Sequence, residues 1–326
     1  MTSRPSRPLE RPALSTSPAA RQPGSPTPAA GRLPGQQRDL GAPGHSFVLT
    51  LSCADRRGIV WSVSGLLAEA GCSIVDSQQF GDASTGQFFM RVHVRREIGP
   101  IPLGELEAVV EPLAREFGMT WQLHDTAVPD RLVVMVSQQG HCLNDLLFRA
   151  RSGTLPATIA AVVSNHPDFR DLAEWHGVPF HHIPVTADTK PQAEDALREV
   201  LTEYRADTIV LARYMQVLSD RLCREHEGRI INIHHSLLPS FKGARPYAQA
   251  YDRGVKVIGA TAHYVTAELD EGPIIEQDFV RVDHSHDPAD LAARGRDLEA
   301  LALARAVTWH SEHRVLRYGV KTVVFT

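Results

Sequence analysis

Residues 131–164, RLVVMVSQQGHCLNDLLFRARSGTLPATIAAVVS, decide the fold. An apolar, β-branched run over 131–137 passes through a Gly-containing turn into helical spacing over 142–150, and a second apolar run follows over 157–164. Runs with no polar alternation belong to strands buried on both faces, which is the signature of a parallel sheet covered by helices. The rhythm continues with a helix over 168–176, VPFHHIPV (178–185), a helix over 191–204, DTIVLA (207–212) and INIHH (231–235). VIGATAHYV (257–265), a turn TAELDEG (266–272), PIIEQDFVRV (273–282), a long helix over 288–313 and a short apolar strand close the chain. Strands alternating with helices predict a Rossmann-like, mostly parallel α/β domain over 131–326, with its site beyond the carboxyl ends of the strands.

Upstream the periodicity differs. SFVLTLSC (46–53) alternates as a strand, and Ile59, Val63, Leu66 and Leu67 lie at helical spacing before Gly71. SIVDSQQFGDASTGQFFMRVHV (73–94) reads as two strands about a polar turn, 103–117 as a helix and MTWQLHD (119–125) as a strand. The order βαββαβ is ferredoxin-like and predicts a separate small domain over 45–126, joined by TAVPD (126–130) to the second. Residues 1–44, rich in Pro, Ala, Ser, Gly and Arg, cannot bury enough apolar surface to order themselves and are expected to be a disordered tail. Their repeated prolines oppose the amphipathic helix of an organellar transit signal.

The bulk numbers exclude several classes. With 34 basic against 38 acidic residues and a net charge of −4, no basic surplus supports nucleic-acid binding. No apolar run approaches the roughly 20 residues of a membrane span. Cys53, Cys72, Cys142 and Cys223 form no C-x-x-C pair, which fits reduced thiols in a cytoplasm rather than a disulfide framework or thiolate metal site.

Polar groups at the end of an apolar strand mark where the site lies. In IINIHHSLLPSFK (230–242), Asn232 and His234 are two apart and so share one side of the strand. An amide donates to a developing oxyanion, and an imidazole donates and passes a proton near neutral pH. Asp270, in the turn before 273–282, is the candidate carboxylate. Spacing alone leaves open that Asn232 and His234 are structural.

The stretch NIHHSLLPSFKGARPYAQAYDRGVKVIGATAHYVTAELDEGPIIEQDF (232–279) resembles the catalytic segment of the folate-dependent formyltransferase family. The Asn-x-His, a Leu-Leu-Pro-x-x-x-Gly loop and a distant Asp-x-Gly occur in order over about 50 residues. The resemblance implies that Asn232, His234 and Asp270 are catalytic. It also implies that Met215, Gln216, Val217 and Leu218, in LARYMQVLS (211–219), hold a pterin ring, and that His263 and Val265 line the folate pocket. Read without the resemblance, Met215 and Val217 are core residues.

Three departures narrow the reading. Only about 40 residues follow Val282, too few for the further barrel of the tRNA-directed members. Where the ribonucleotide enzymes resembled here have a Gly-rich phosphate cradle, this chain has SQQGHCLNDLL (137–147), with Gln138, His141 and Cys142 beside Gly140. His235 stands where a proline is usual. Without a phosphate cradle the simplest acceptor is water, and residues 45–326 as a whole are similar to the formyltetrahydrofolate deformylase family. That likeness implies hydrolysis of 10-formyltetrahydrofolate to tetrahydrofolate and formate, a step of one-carbon and purine metabolism, with folate as substrate, no permanently bound cofactor and no metal. His141 and His235 are candidates for gating water or filling the vacated acceptor site; packing is the alternative.

ADRRGIVWSVSGLLAEAGCSI (54–74) resembles the opening of ACT domains, which implies side-by-side pairing, a dimer or tetramer, and a small amino-acid effector near Asp55 and Gly58. An oligomerisation module without a ligand is the alternative. Three other functions stay open: a formyltransferase with an amine acceptor, a metal hydrolase drawing on the 16 histidines, and a non-enzymatic amino-acid sensor. Adjacent histidines such as His234 and His235 are expected on opposite faces of a strand, which counts against the metal reading.

Overall fold

The computed structural model describes residues 45–239 and 246–326. The expected tail at 1–44 and Gly243 of the Leu-Leu-Pro loop lie outside them.

The first sheet forms from β1 (Ser46–Ala54), β2 (Cys72–Asp82), β3 (Gln87–Arg96) and β4 (Thr120–Asp125), in the order β2-β3-β1-β4 with every pairing antiparallel. Alternation explains its two faces. Phe47, Leu49, Leu51 and Cys53 of β1 point to a core shared with helices α1 (Ile59–Glu69) and α2 (Leu103–Phe117). The other face carries Phe89 and Arg91, buried at 1% and 4% exposure, and meets the end of the chain. There the Arg91 guanidinium donates twice to the Glu312 carbonyl at 2.9 and 3.2 Å, Phe89 packs edge-on to Tyr318, and the His124 and His313 rings stack at 3.5 Å.

The second sheet has seven strands. β5 (Asp130–Val136), β6 (Ala157–Ser164), β7 (Phe180–His182), β8 (Thr208–Leu211) and β9 (Ile230–His234) are parallel, and β10 (Val257–Tyr264) and β11 (Ile274–Arg281) extend the sheet antiparallel at one side. The order is β11-β10-β9-β8-β5-β6-β7. On β5, Leu132, Val134 and Val136 face α3 (His141–Arg151) and α8 (Pro288–Ser311). Val133 and Met135 face α5 (Lys190–Glu203) and α6 (Asp220–Glu225). Burial on both sides is why β5 reads as a continuous apolar run. The chain leaves β5 in one direction toward β6 and returns on its other side through β8. The crevice between the ends of β5 and β8 is therefore the switch point where such sheets bind ligands.

α8 starts cleanly because Asp287 accepts from the N–H groups of Ala289 and Asp290, while the Asp290 side chain accepts from the Asp287 N–H. At 24 residues it spans about 36 Å, long enough to cross the sheet and bring a side chain to the crevice. Expected elements at 103–117 and 157–164 match the structure residue for residue. Three features were not expected: α6, α7 (Pro246–Asp252), and a closing hairpin of β12 (Val315–Tyr318) and β13 (Lys321–Val324) where one strand was anticipated. No described helix is long and apolar enough to cross a membrane.

Candidate active site

β9 outruns its neighbour. Asn232 pairs in register with Leu211, the last residue of β8, so His234 projects past the end of that strand. On the other side β10 sets His263 opposite Asn232 and Thr261 opposite His234. Thr261 receives a bond from the Leu238 N–H and donates to the Ser236 carbonyl, which fixes the path of the chain just after His234.

Asp270 arrives from the loop between β10 and β11. It adopts the left-handed backbone region at φ 57°, which a short polar side chain tolerates. Gly272 lets the loop fold back on β10: a Cβ there would stand 1.7 Å from the Tyr264 carbonyl oxygen, and the Tyr264 N–H donates to Pro273 O at 2.9 Å. The result puts Asp270 Oδ1 3.3 Å from His234 Nδ1 and 3.8 Å from His263 Nε2. The hydrogen bond from His234 outweighs burial and holds the Asp270 carboxyl below the ordinary carboxylate range.

Hydrogen-bond direction follows from the fixed groups. His263 Nδ1 lies 2.8 Å from the Tyr264 carbonyl, which only accepts, so Nδ1 carries the proton. Burial pushes His263 down, keeping it neutral. Its Nε2 therefore accepts from Asn232 Nδ2 at 3.2 Å; Asn232 borders the cavity, and its second amide N–H has no partner among the described residues. His234 Nε2 is buried and has no hydrogen-bond partner among the described residues, while Nδ1 is engaged by Asp270.

A cavity of about 850 Å³ opens over these groups. Met215, Gln216, Val217, Leu218 and Val265 form one wall, with Met215 and Val217 more than half exposed rather than core. The wall is held at its base: Ser137 Oγ accepts from the Met215 N–H at 2.9 Å, and Ser219 donates from its N–H and hydroxyl to the Glu194 carboxylate. A pinned apolar ledge beside three polar groups suits a flat heteroaromatic ligand carrying one reactive substituent.

His235 corrects one expectation. β9 ends at His234, so His235 escapes strand alternation; both rings border the same cavity, with centroids 5.0 Å apart. Burial, with the charges of Arg213 and His234 adding, pushes His235 down to about 4. His141, at the start of α3, bonds through Nε2 to Glu299 Oε2 at 2.8 Å. Glu299, Arg213 and Tyr247 also line the cavity and were not anticipated from sequence. Glu299 reads as one more charge on a long helix, and only its place among buried Ala302, Leu303 and Gly295 hints otherwise. His141, Cys142 and Glu299 bring potential metal-ligand atoms within 4.8 Å of one another, but the Arg213 guanidinium, 3.3 Å from Glu299, already supplies a cation there. Asp55 and Gly58 are exposed in the connection between β1 and α1 and do not line this cavity.

The chain matches the ACT domain family over residues 47–111 and the formyl transferase family over 130–307. It is 53% identical to the formyltetrahydrofolate deformylase of Corynebacterium sp. strain P-1 over 277 residues, covering 85% of this chain and 97% of the relative. The crystal structure of a formyltetrahydrofolate deformylase from Pseudomonas syringae pv. tomato superposes with a TM-score of 0.85 at 46% identity, covering 89% of this chain and 96% of that one. The corresponding enzyme from Burkholderia mallei gives 0.82 at 50% identity, over 86% of this chain and 100% of the other. A transferase-type sheet behind an ACT domain, matched over nearly the full length of such relatives, leaves one conclusion: the chain belongs to the formyltetrahydrofolate deformylase family.

Proposed function

We propose that the chain hydrolyses 10-formyltetrahydrofolate to tetrahydrofolate and formate, with Asn232, His234 and Asp270 as its catalytic groups. The relatives named above carry this activity in their names, and the observation that carries the residue assignment is the convergence under one cavity of an ionised Asp270 with a His234 Nε2 and a second Asn232 N–H that have no partner among the described residues. The apolar ledge Met215–Leu218 takes the pterin ring, with Val265 beside it on the same wall.

In this reading Asp270, directly or through His234, takes a proton from water as its oxygen attacks the formyl carbon. The carbonyl π pair moves onto oxygen, and the oxyanion is met by the free Asn232 N–H and by His234. Collapse breaks the bond from carbon to N10, which takes a proton relayed by His234, and formate leaves. Neutral His263 holds the Asn232 amide in the orientation that points a donor at the oxyanion.

The competing acceptor is an amine. Formate measured from 10-formyltetrahydrofolate with no acceptor added separates the two: stoichiometric formate supports hydrolysis, and release only on addition of an amine rejects it.

The first domain is assigned a regulatory role. Gly58 caps α1 at φ 96°, a conformation natural only to glycine, and no side chain caps the helix, so its first N–H groups are available to a small amino-acid carboxylate beside Asp55. β2, at the edge of its sheet with Ile74 and Phe80 partly exposed, suits pairing between copies in a dimer or tetramer. Residues 1–125 removed, a response to an amino-acid panel that persists would rule out this domain as the sensor.

A further inference from the structure

Among the described residues three histidines line the cavity, and their ring nitrogens are committed to different degrees. His263 uses both, Nδ1 on the Tyr264 carbonyl and Nε2 on Asn232. His234 gives Nδ1 to Asp270 and keeps Nε2 alone for the oxyanion and for N10. His235 has a buried Nδ1 with no partner among the described residues, and the steps assigned so far make no use of it. Of seven buried side-chain polar atoms in that condition among the described residues, three belong to this cavity: Arg213 Nε, His234 Nε2 and His235 Nδ1. Such a concentration marks where a small polar molecule completes the hydrogen bonding.

The backbone that carries His235 is pinned. The Thr261 hydroxyl donates to the Ser236 carbonyl at 2.7 Å and accepts from the Leu238 N–H at 3.0 Å, and the Gln277 amide donates to the Leu238 carbonyl at 3.0 Å. The ring packs edge to face against both His234 and Tyr247, with centroids 5.0 and 6.4 Å away. Burial, with the Arg213 charge adding, keeps it neutral, as an accepting nitrogen requires.

Addition to a carbonyl needs two separate hydrogen-bonding positions, one for the oxygen that gains charge and one for the nucleophile approaching the carbon. Asn232 and His234 supply the first. We propose that His235 supplies the second: one of its ring nitrogens accepts an O–H of the attacking water and aims the water's lone pair at the formyl carbon, so that His235 selects water as the nucleophile. The other water proton leaves toward Asp270 or His234 as the bond from oxygen to carbon forms. The proton held by His235 stays on that oxygen and is lost to solvent when the product acid ionises to formate. The proposal rests on the hydrolytic reading above and adds a nucleophile site to it.

The test is a partition, run on the full chain with 10-formyltetrahydrofolate in water and in water with added hydroxylamine, the products being formate and formohydroxamate. His235→Leu keeps the bulk and removes the acceptor. Its kcat for formate is expected to fall about 100-fold while KM changes less than about threefold. Its ratio of formohydroxamate to formate is expected to rise about tenfold or more over native, because hydroxylamine at high concentration, the stronger nucleophile, does not depend on being held. His235→Asn, whose side-chain oxygen can accept in place of the nitrogen, is expected to regain about tenfold in kcat over His235→Leu and to lower the ratio toward native. General distortion of the site lowers both products together, and the ratio does not depend on how much of the protein is folded. An unchanged ratio in His235→Leu, a rise in KM without a fall in kcat, or an Asn variant no better than the Leu variant overturns the proposal. Absence of formate from the native chain without hydroxylamine rejects the hydrolytic reading and this proposal with it, whereas formate from the native chain with an unchanged ratio in the variant rejects this proposal alone.

Discussion

Asn232 and His263 face each other across β9 and β10, with amide Nδ2 and imidazole Nε2 3.2 Å apart. The proton that His263 must place on Nδ1 to serve the Tyr264 carbonyl makes Nε2 an acceptor, which in turn decides which way the amide points. His263 is thus a positioning residue. His263→Ala is expected to lower kcat by up to about 100-fold with a much smaller change in KM, because the amide loses its orientation rather than the folate its pocket. A steady-state comparison of the two constants checks this; equal effects on both would assign His263 to substrate binding instead.

Replacing the amide itself has a larger effect. Asn232→Ala is expected to cost about 2.7–4 kcal/mol of barrier, a fall of roughly 10²–10³ in kcat, with unchanged thermal stability. Near-native turnover in this variant would reject the oxyanion role.

Gly272 tests the loop without touching a reacting group. A methyl at this position collides with the Tyr264 carbonyl, so the turn must open and carry Asp270 away from His234. Gly272→Ala is expected to reduce kcat by about 100-fold or more while the protein still folds. Retained activity would mean that Asp270 does not need its observed distance from His234.

These residues were legible in the sequence to different degrees, for physical reasons. Asn232 and His234 lie two apart on one strand, so local periodicity suffices to place them together. Asp270 is 36 positions beyond His234; its place in a turn between two strands makes it a candidate and the family resemblance strengthens it, but its return depends on a close approach at Gly272 that no periodicity encodes. The role of His263 arises from antiparallel register between two strands far apart in sequence. Glu299, Arg213 and Tyr247 meet from three elements, and each alone reads as an ordinary surface or core residue. The short α6 and α7, at six and seven residues, offer too few turns for a helical pattern to stand out.

The junction of the two sheets should respond to acid. His310 bonds the Tyr264 hydroxyl at 2.8 Å and Thr208 Oγ1 at 2.9 Å, and His313 stacks on His124. Burial, reinforced by Arg317 and His124, pushes His310 down to about 4; burial, with His124, His310 and Arg91 adding, pushes His313 down to about 3. Folded values below the ordinary 6.5 mean that the unfolded chain takes up these protons first. Their contribution to stability is full above pH 6.5 and is lost as the pH falls from there toward 4 and 3. Melting temperature is expected to drop through this window, and His313→Asn to flatten the drop. An unchanged slope in that variant would show that the acid response arises elsewhere.

The central claim, water attacking under Asn232, His234 and Asp270, is tested most directly by a single turnover of 10-formyltetrahydrofolate in ¹⁸O-enriched water without any amine, run with native enzyme and Asp270→Asn. The native enzyme is expected to release formate carrying one solvent oxygen, and the variant to do so at least about 100-fold more slowly while still binding the folate. Formate without solvent oxygen, or near-native turnover by the variant, would contradict it.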